Sequence, residues 1–421
     1  MDTRILLRIA ALSAAALLAV TCIYPFKVDI RRDGEYPLVI EGDILVGAIT
    51  TVKLSHVRPF DVSGYESVPI QAEGYIEGED GTRVDGTPVD DPTIPAGKMQ
   101  LAFDTSHLQE GQRYRLHINT LSGSNIISNE FESDWLTPCP APTIDALTYS
   151  LHDEFDELWV GLSMHCNGSH YFRWSFTETW EYHSDVHSHV EYVPQTRRWD
   201  EFSRKYVYSG GYYQTAYPTL YYCWDTQTSP QINIFSTANQ TEDRFEKLAF
   251  HTIPLSDKRL QVLYRITVNL QALSEDAYNY WNNIVQNSSD QGSIFAPVPS
   301  EMASNVRCIS DPTVQVMGYL NAAVPARAVM YYDNSVEQFF RPPLPFTRAD
   351  TTIAYNNISL AEELYRGGFL PYHEEYNSIV VDDETGAMIP SDYTWAMAIC
   401  IDCRLQGGTK KKPADWPDGN Q

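Results

Sequence analysis

The chain has 421 residues, with 30 Lys+Arg against 55 Asp+Glu and a formal net charge of −25. So acidic a balance repels phosphate backbones and excludes nucleic-acid binding through a basic surface. At 43% hydrophobic and 20% charged, the chain can bury real cores and is no disordered acidic tail; its 27 Tyr and 9 Trp suit strands and wet contact surfaces better than helical bundles.

Residues 1–21 read as a signal peptide. Arg4 and Arg8 give a positive start, and the apolar run 9–20 falls far short of the ~20 residues that span a bilayer. The run ends Leu18-Ala19-Val20-Thr21-Cys22, which resembles a bacterial lipobox, where the signal is cut before Cys and the thiol is acylated. Two or more acyl chains on Cys22 would hold the protein stably on a membrane, where one alone is marginal. Residues 22–36 are then a lipidated tether.

From Pro37 the pattern alternates apolar and polar residues. Leu38-Val-Ile-Glu-Gly-Asp-Ile-Leu45, Thr50-Thr-Val-Lys-Leu-Ser-His-Val57, 70–76, 98–103 and 112–119 read as short strands spaced by turn residues. That spacing predicts an immunoglobulin-like β-sandwich over 37–138. Asp80, Asp85, Asp90 and Asp91 do not match a calcium loop and read as turn chemistry. Pro138-Cys-Pro-Ala-Pro142 breaks any regular element and marks a domain boundary. Beyond it, 139–421 reads as a second, larger β-rich domain. In Tyr171-Phe-Arg-Trp-Ser-Phe-Thr-Glu-Thr-Trp-Glu-Tyr182 an aromatic face alternates with a polar one. One helix near 275–287 interrupts the strands: Ser274 can cap it, and Ala277, Tyr278, Trp281, Ile284 and Val285 form an apolar stripe.

The remaining cysteines, Cys139, Cys166, Cys223, Cys308, Cys400 and Cys403, are even in number, and an exported chain with such a set is expected to form disulfides. Cys400-Ile-Asp-Cys403 has the spacing of a redox pair or a zinc half-site, but no second such pair exists to complete a four-Cys site. No nucleophile elbow, zincin helix or phosphate-binding Gly loop is present, so no cofactor and no catalytic residue is assigned. His183, His187 and His189 are weak candidate metal ligands, with exposed loop histidines the commoner reading. Arg173, Glu178 and Glu181 hold the residue types of a glycosidase carboxylate pair, with strand ion pairs the plainer account. The aromatic segment 206–224 makes Tyr212, Tyr213, Tyr217 and Trp224 candidate binding residues around Gly210-Gly211; a hairpin packing its aromatics inward is the alternative.

Several motifs taken together resemble one family. They are Leu38-Val-Ile-Glu-Gly-Asp-Ile after the lipobox, the stretch 171–182, Leu273-Ser-Glu-Asp-Ala-Tyr-Asn-Tyr-Trp281, Gly292-Ser-Ile-Phe-Ala-Pro297, Val316-Met-Gly-Tyr-Leu320 and Cys403-Arg-Leu-Gln-Gly-Gly-Thr with Lys412-Pro-Ala-Asp-Trp-Pro. The chain resembles the Bacteroidota lipoproteins of domain-of-unknown-function family 4249. The resemblance implies an outer-membrane lipoprotein, often encoded beside a TonB-dependent transporter, and it implies no activity or catalytic residues. Ile-Tyr-Pro-Phe-Lys after Cys22 lacks an acidic export run, which favours the periplasmic face over the cell surface. The expectation is a non-enzymatic accessory to transport, with a glycan- or peptide-binding lipoprotein and a hydrolase of unrecognised site as alternatives.

Overall fold

A computed structural model describes residues 37–57, 69–122, 126–216, 220–289, 304–342, 350–382 and 386–417. The expected signal peptide, the tether with Cys22, and Tyr217 lie outside the described residues.

The protein is mainly β: an immunoglobulin-like sandwich followed by a larger one with a helical insertion. In the first, one sheet holds β1 (Leu38–Leu45), β2 (Ile49–His56), β5 (Thr87–Pro88) and β6 (Lys98–Asp104). The facing sheet holds β3 (Ala72–Gly78), β4 (Arg83–Asp85), β7 (Tyr114–Ser122) and β8 (Ile126–Ser133). Alternation in each strand sends Ile40, Ile44, Val52, Leu54, Leu101 and Phe103 against Ile76, Leu116, Ile118 and Phe131. Asp80 and Asp91 accept hydrogen bonds from the backbone N–H groups of Thr82 and Thr93, as turn residues do.

The chain does not finish this sandwich before the prolines at 138–142. β20 (Val306–Cys308) extends the second sheet beyond β8, while β21 (Val316–Met317) and β22 (Leu320–Ala323) pair in parallel with β1. Val306, Cys308, Leu320 and Ala322 enter the same core. The late strands cover two edges that would otherwise present unpaired backbone groups. Gly318 allows the approach: a Cβ there would lie 2.1 Å from the Ile40 carbonyl oxygen, and its φ is +104°.

The second sandwich faces β9 (Thr143–His152), β10 (Glu157–His165) and β18 (Arg244–Pro254) with β11 (Tyr171–His183), β16 (Tyr222–Thr228), β17 (Asn233–Ser236), β19 (Leu263–Ala272) and β23 (Ala326–Asp333). β11 lies at its centre, pairing with β16, β17 and β19, and turns Phe172, Phe176, Trp180 and Tyr182 inward. The helix Glu275–Ser289 starts as its sequence predicts, with Ser274 Oγ accepting from Ala277 N at 3.2 Å. It also ties the two sandwiches together. Tyr280 donates to Glu41 at 2.8 Å, and Arg173 pairs with Asp43 while its guanidinium lies 4.8 Å from the Trp281 ring centre.

A smaller unit gathers β12 (Val190–Val193), β15 (Tyr212–Thr215), β24 (Thr351–Ala354), β25 (Phe369–Glu375), β28 (Asp392–Met397) and the helix Ile358–Arg366. Its core is Val190, Tyr192, Ile353, Ala361, Tyr393 and Trp395. Two further ribbons pair β13 (Thr196–Asp200) with β14 (Lys205–Ser209), and β26 (Val380–Val381) with β27 (Met388–Ile389). Among the described residues, no helix is long and apolar enough to cross a membrane.

Candidate functional site

A cleft of about 710 Å³ opens beside the second sandwich, a size that suits small-ligand sites. β11 supplies Phe176, Glu178 and Trp180, and the chain around β16 supplies Asp225, Thr226, Gln227, Ser229 and Gln231. His251 from β18 and the turn Asp257, Lys258, Arg259 close it.

Glu178 forms the floor. As an even-numbered residue of β11 it shares the inward face with Trp180 and Tyr182 and is only 3% exposed. A carboxylate so placed must be bonded and paired. Its Oε1 accepts from His251 Nε2 at 2.9 Å, Arg259 Nη1 at 2.7 Å and the Tyr264 hydroxyl at 2.8 Å. Burial works to raise the Glu178 carboxyl, but the His251 hydrogen bond and the Arg259 charge outweigh it and hold the group below the usual range. Burial, reinforced by the Glu178 charge, drives the Tyr264 hydroxyl well upward, so it stays a donor. Arg259 is held on its other side by Asp257 at 2.8 Å. Three donors and two carboxylates thus form one connected network, with the donors converging on a single Glu178 oxygen.

Glu181 and Arg173 do not join this site. They are odd-numbered on the same strand, so they leave its opposite face. Glu181 accepts from Trp416 Nε1 at 2.9 Å and lies 3.2 Å from His183 Nε2, while Arg173 pairs with Asp43. The structure therefore separates the proposed glycosidase carboxylates, placing Glu178 inside the sandwich and Glu181 outside it. His187 Nδ1 and His189 Nε2 meet at 3.0 Å, but among the described residues no group of three or more His, Cys, Asp or Glu is arranged to hold a metal ion.

The cysteines differ from the expected set of bridges. Cys223 bonds to Cys403, 180 residues away in sequence, whereas Cys139, Cys166 and Cys308 are thiols. Cys403, at the start of the 3₁₀ turn Cys403–Gln406, bonds to Cys223 of β16 and not to its neighbour Cys400 in the short helix Ala398–Ile401. The bridge fixes a closing strap: Trp224 and Thr409 exchange backbone hydrogen bonds at 2.9 and 2.8 Å.

The aromatic segment divides. Trp224 is 6% exposed and is a packing residue. Tyr213 stacks on Tyr393 with ring centres 3.6 Å apart, and burial pushes its hydroxyl up to about 12. Tyr212 is 52% exposed and stays a surface residue. The expected surface patch is thus reduced to Tyr212 among its described members, and Tyr206 and Tyr208 join it from the β13–β14 ribbon. Two further members escaped the sequence reading, Trp199 and Phe202, which are 45% and 98% exposed. The signal was available: 197–206 reads Arg-Arg-Trp-Asp-Glu-Phe-Ser-Arg-Lys-Tyr, a turn between alternating aromatic and basic positions.

The fold and these sites define a β-sandwich protein with a polar cleft and an exposed aromatic ribbon. The family model "Domain of unknown function (DUF4249)" matches residues 23–327, and the chain belongs to that family. No curated protein matches it. Among solved structures, a DUF4785 family protein from Legionella pneumophila aligns at 9% identity over 55% of this chain and 52% of its own, about half its length, with a TM-score of 0.19.

Proposed function

We propose that the chain is a non-enzymatic outer-membrane lipoprotein, anchored through Cys22, that serves a TonB-dependent transport system as an accessory. The observation that carries the non-enzymatic reading is the convergence of three donors on one oxygen of Glu178. His251, Arg259 and Tyr264 all spend a donor on one oxygen, so the residue types that could do acid–base work are tied to each other as a structural floor. The cleft above favours a second reading, a lipoprotein that itself holds a polar cargo such as a glycan or peptide. The family resemblance supplies the link to a transporter.

Affinity purification of the anchored chain from cross-linked, detergent-solubilised envelopes tests the proposal. A TonB-dependent transporter should co-purify, and Cys22→Ser should release the chain from the membrane fraction. Recovery of the chain without any transporter would sink the accessory role; a soluble, unmodified wild-type chain would sink the anchor.

A further inference from the structure

The ribbon of β13 and β14 is built unlike the rest of the described chain. Every one of its strand residues except Asp200 is exposed, so neither face rests on the body. Its register sets Arg197 opposite Tyr208 and Trp199 opposite Tyr206, which puts those four on one face, with Arg198, Val207, Asp200 and Lys205 on the other. Trp199 and Tyr206 meet edge to face with ring centres 5.1 Å apart, and the Arg197 guanidinium lies 5.1 Å from the Tyr206 ring centre. The turn is ordered from within. Asp200 accepts from Phe202 N at 3.0 Å and from Ser203 Oγ at 2.7 Å, and Arg204 takes a left-handed φ of 52°. That turn holds Phe202 at the tip, 98% exposed.

An isolated two-stranded ribbon is marginal in water, and this one packs its Trp and Tyr rings only within itself and leaves the Phe at its tip exposed. Its charge also runs against the molecule: 196–209 holds Arg197, Arg198, Arg204 and Lys205 against Asp200 and Glu201, in a chain of net charge −25. Aromatic rings with a polar edge settle at the headgroup level of a bilayer, long basic side chains reach out to its phosphates, and an apolar tip enters between the headgroups. We propose that the 196–209 ribbon seats on an anionic phospholipid surface, with Phe202 and Trp199 in the headgroup layer and the four basic side chains on lipid phosphates. A projecting ribbon exposed on both faces suits a medium that surrounds its tip; a flat protein partner would touch one face and leave the other aromatic or basic set uncovered. The inference stands whether or not Cys22 is acylated or a transporter is present.

The test uses residues 22–421 carrying Cys22→Ser, sedimented with vesicles of phosphatidylcholine alone or with added phosphatidylglycerol. Each basic residue near an anionic surface contributes about fivefold, so two net charges predict roughly a 25-fold preference for the anionic vesicles, eroded by salt. Arg197→Gln with Arg198→Gln should weaken partitioning to anionic vesicles about 25-fold, and separately Trp199→Ser with Phe202→Ser about tenfold, while the thermal transition stays put. The proposal is overturned by no sedimentation, by equal binding to both vesicles, or by binding that the ribbon variants leave unchanged. A dimer in solution that the ribbon variants dissolve, or cross-linking of the ribbon to a membrane protein without vesicle binding, would assign it to a protein partner and overturn the proposal as well.

Discussion

Two tyrosine-rich strands, β14 and β15, stand on either side of Gly210-Gly211 and meet opposite fates. In β14, Tyr206 and Tyr208 are 53% and 57% exposed. In β15, Tyr213 lies against Tyr393 and Trp395 in the core of the small unit. Gly210 pinches the neck between them: a Cβ there would lie 2.2 Å from the Pro194 carbonyl oxygen. Local sequence does not separate these strands. What separates them is chain that arrives later, because β28 and the helix Ile358–Arg366 cover β15 and nothing described covers β14. Aromatic content marks a strand as a contact surface; the partner is decided elsewhere, by the rest of this chain in one case and by something outside it in the other.

The covered side should break hardest. Trp395 is fully buried, so Trp395→Ala should cost about 3–5 kcal/mol and bring Tyr213 into solvent, read as a lost urea-unfolding midpoint. A comparable loss should follow at the cleft floor. Glu178→Ala leaves Arg259 buried beside Asp257 alone, and removing one partner of a buried pair costs about 3–5 kcal/mol. The charge has a pH signature. Because the folded Glu178 carboxyl titrates below its ordinary value of 4.5, its stabilisation is complete above that value and drains away as pH falls through the folded pKa. The thermal midpoint of the wild type should therefore fall in acid, and Glu178→Ala should flatten that part of the profile. An unaltered acid limb would show that the network carries no net stability.

The strap comes next in size. Cys223→Ser opens a bridge that closes 180 residues of chain, and its loss should cost about 2–5 kcal/mol. Mass spectrometry without reductant should find Cys223 linked to Cys403 and alkylated thiols at Cys139, Cys166 and Cys308. A Cys400–Cys403 bridge would instead return the C-x-x-C pair to redox chemistry.

The same contrast explains what the sequence could show. Strict alternation made β1, β2, β7 and β11 readable, and Ser274 with Glu275 and Asp276 announced the helix start. Even the burial of Glu178 was legible, since it falls in phase with the inward Phe176 and Trp180, but its partners His251 and Arg259 come from other strands and turns with no local mark. The parallel additions β21 and β22 run for two and four residues, too short to carry a period, and so the first sandwich looked complete at 138. Six cysteines allow about 15 pairings, and spacing alone selects none of them. Trp199 and Phe202 escaped because tyrosine density peaks later, at 206–224, where much of the aromatic surface turns inward.

The smallest expected effect is the one that decides the comparison. If the β13–β14 ribbon owes nothing to the body, Trp199→Ala in β13 should change folding stability by less than about 0.5 kcal/mol, the range of surface substitutions away from packing or caps. Tyr213→Ala, two strands along in β15, removes a ring stacked at 3.6 Å with a buried hydroxyl, and should cost about 2–4 kcal/mol. The two variants delete aromatics fourteen positions apart, one on each side of the Gly210-Gly211 neck, and covering chain is the main variable between them. Matched urea melts of both give the ratio directly. Equal losses would mean that Trp199 and Tyr206 support the small unit through the ribbon neck, and the ribbon would then be part of the scaffold. A near-zero loss at Trp199 beside a large one at Tyr213 would leave the ribbon's aromatics without any folding role, so that their use must lie in what the protein touches.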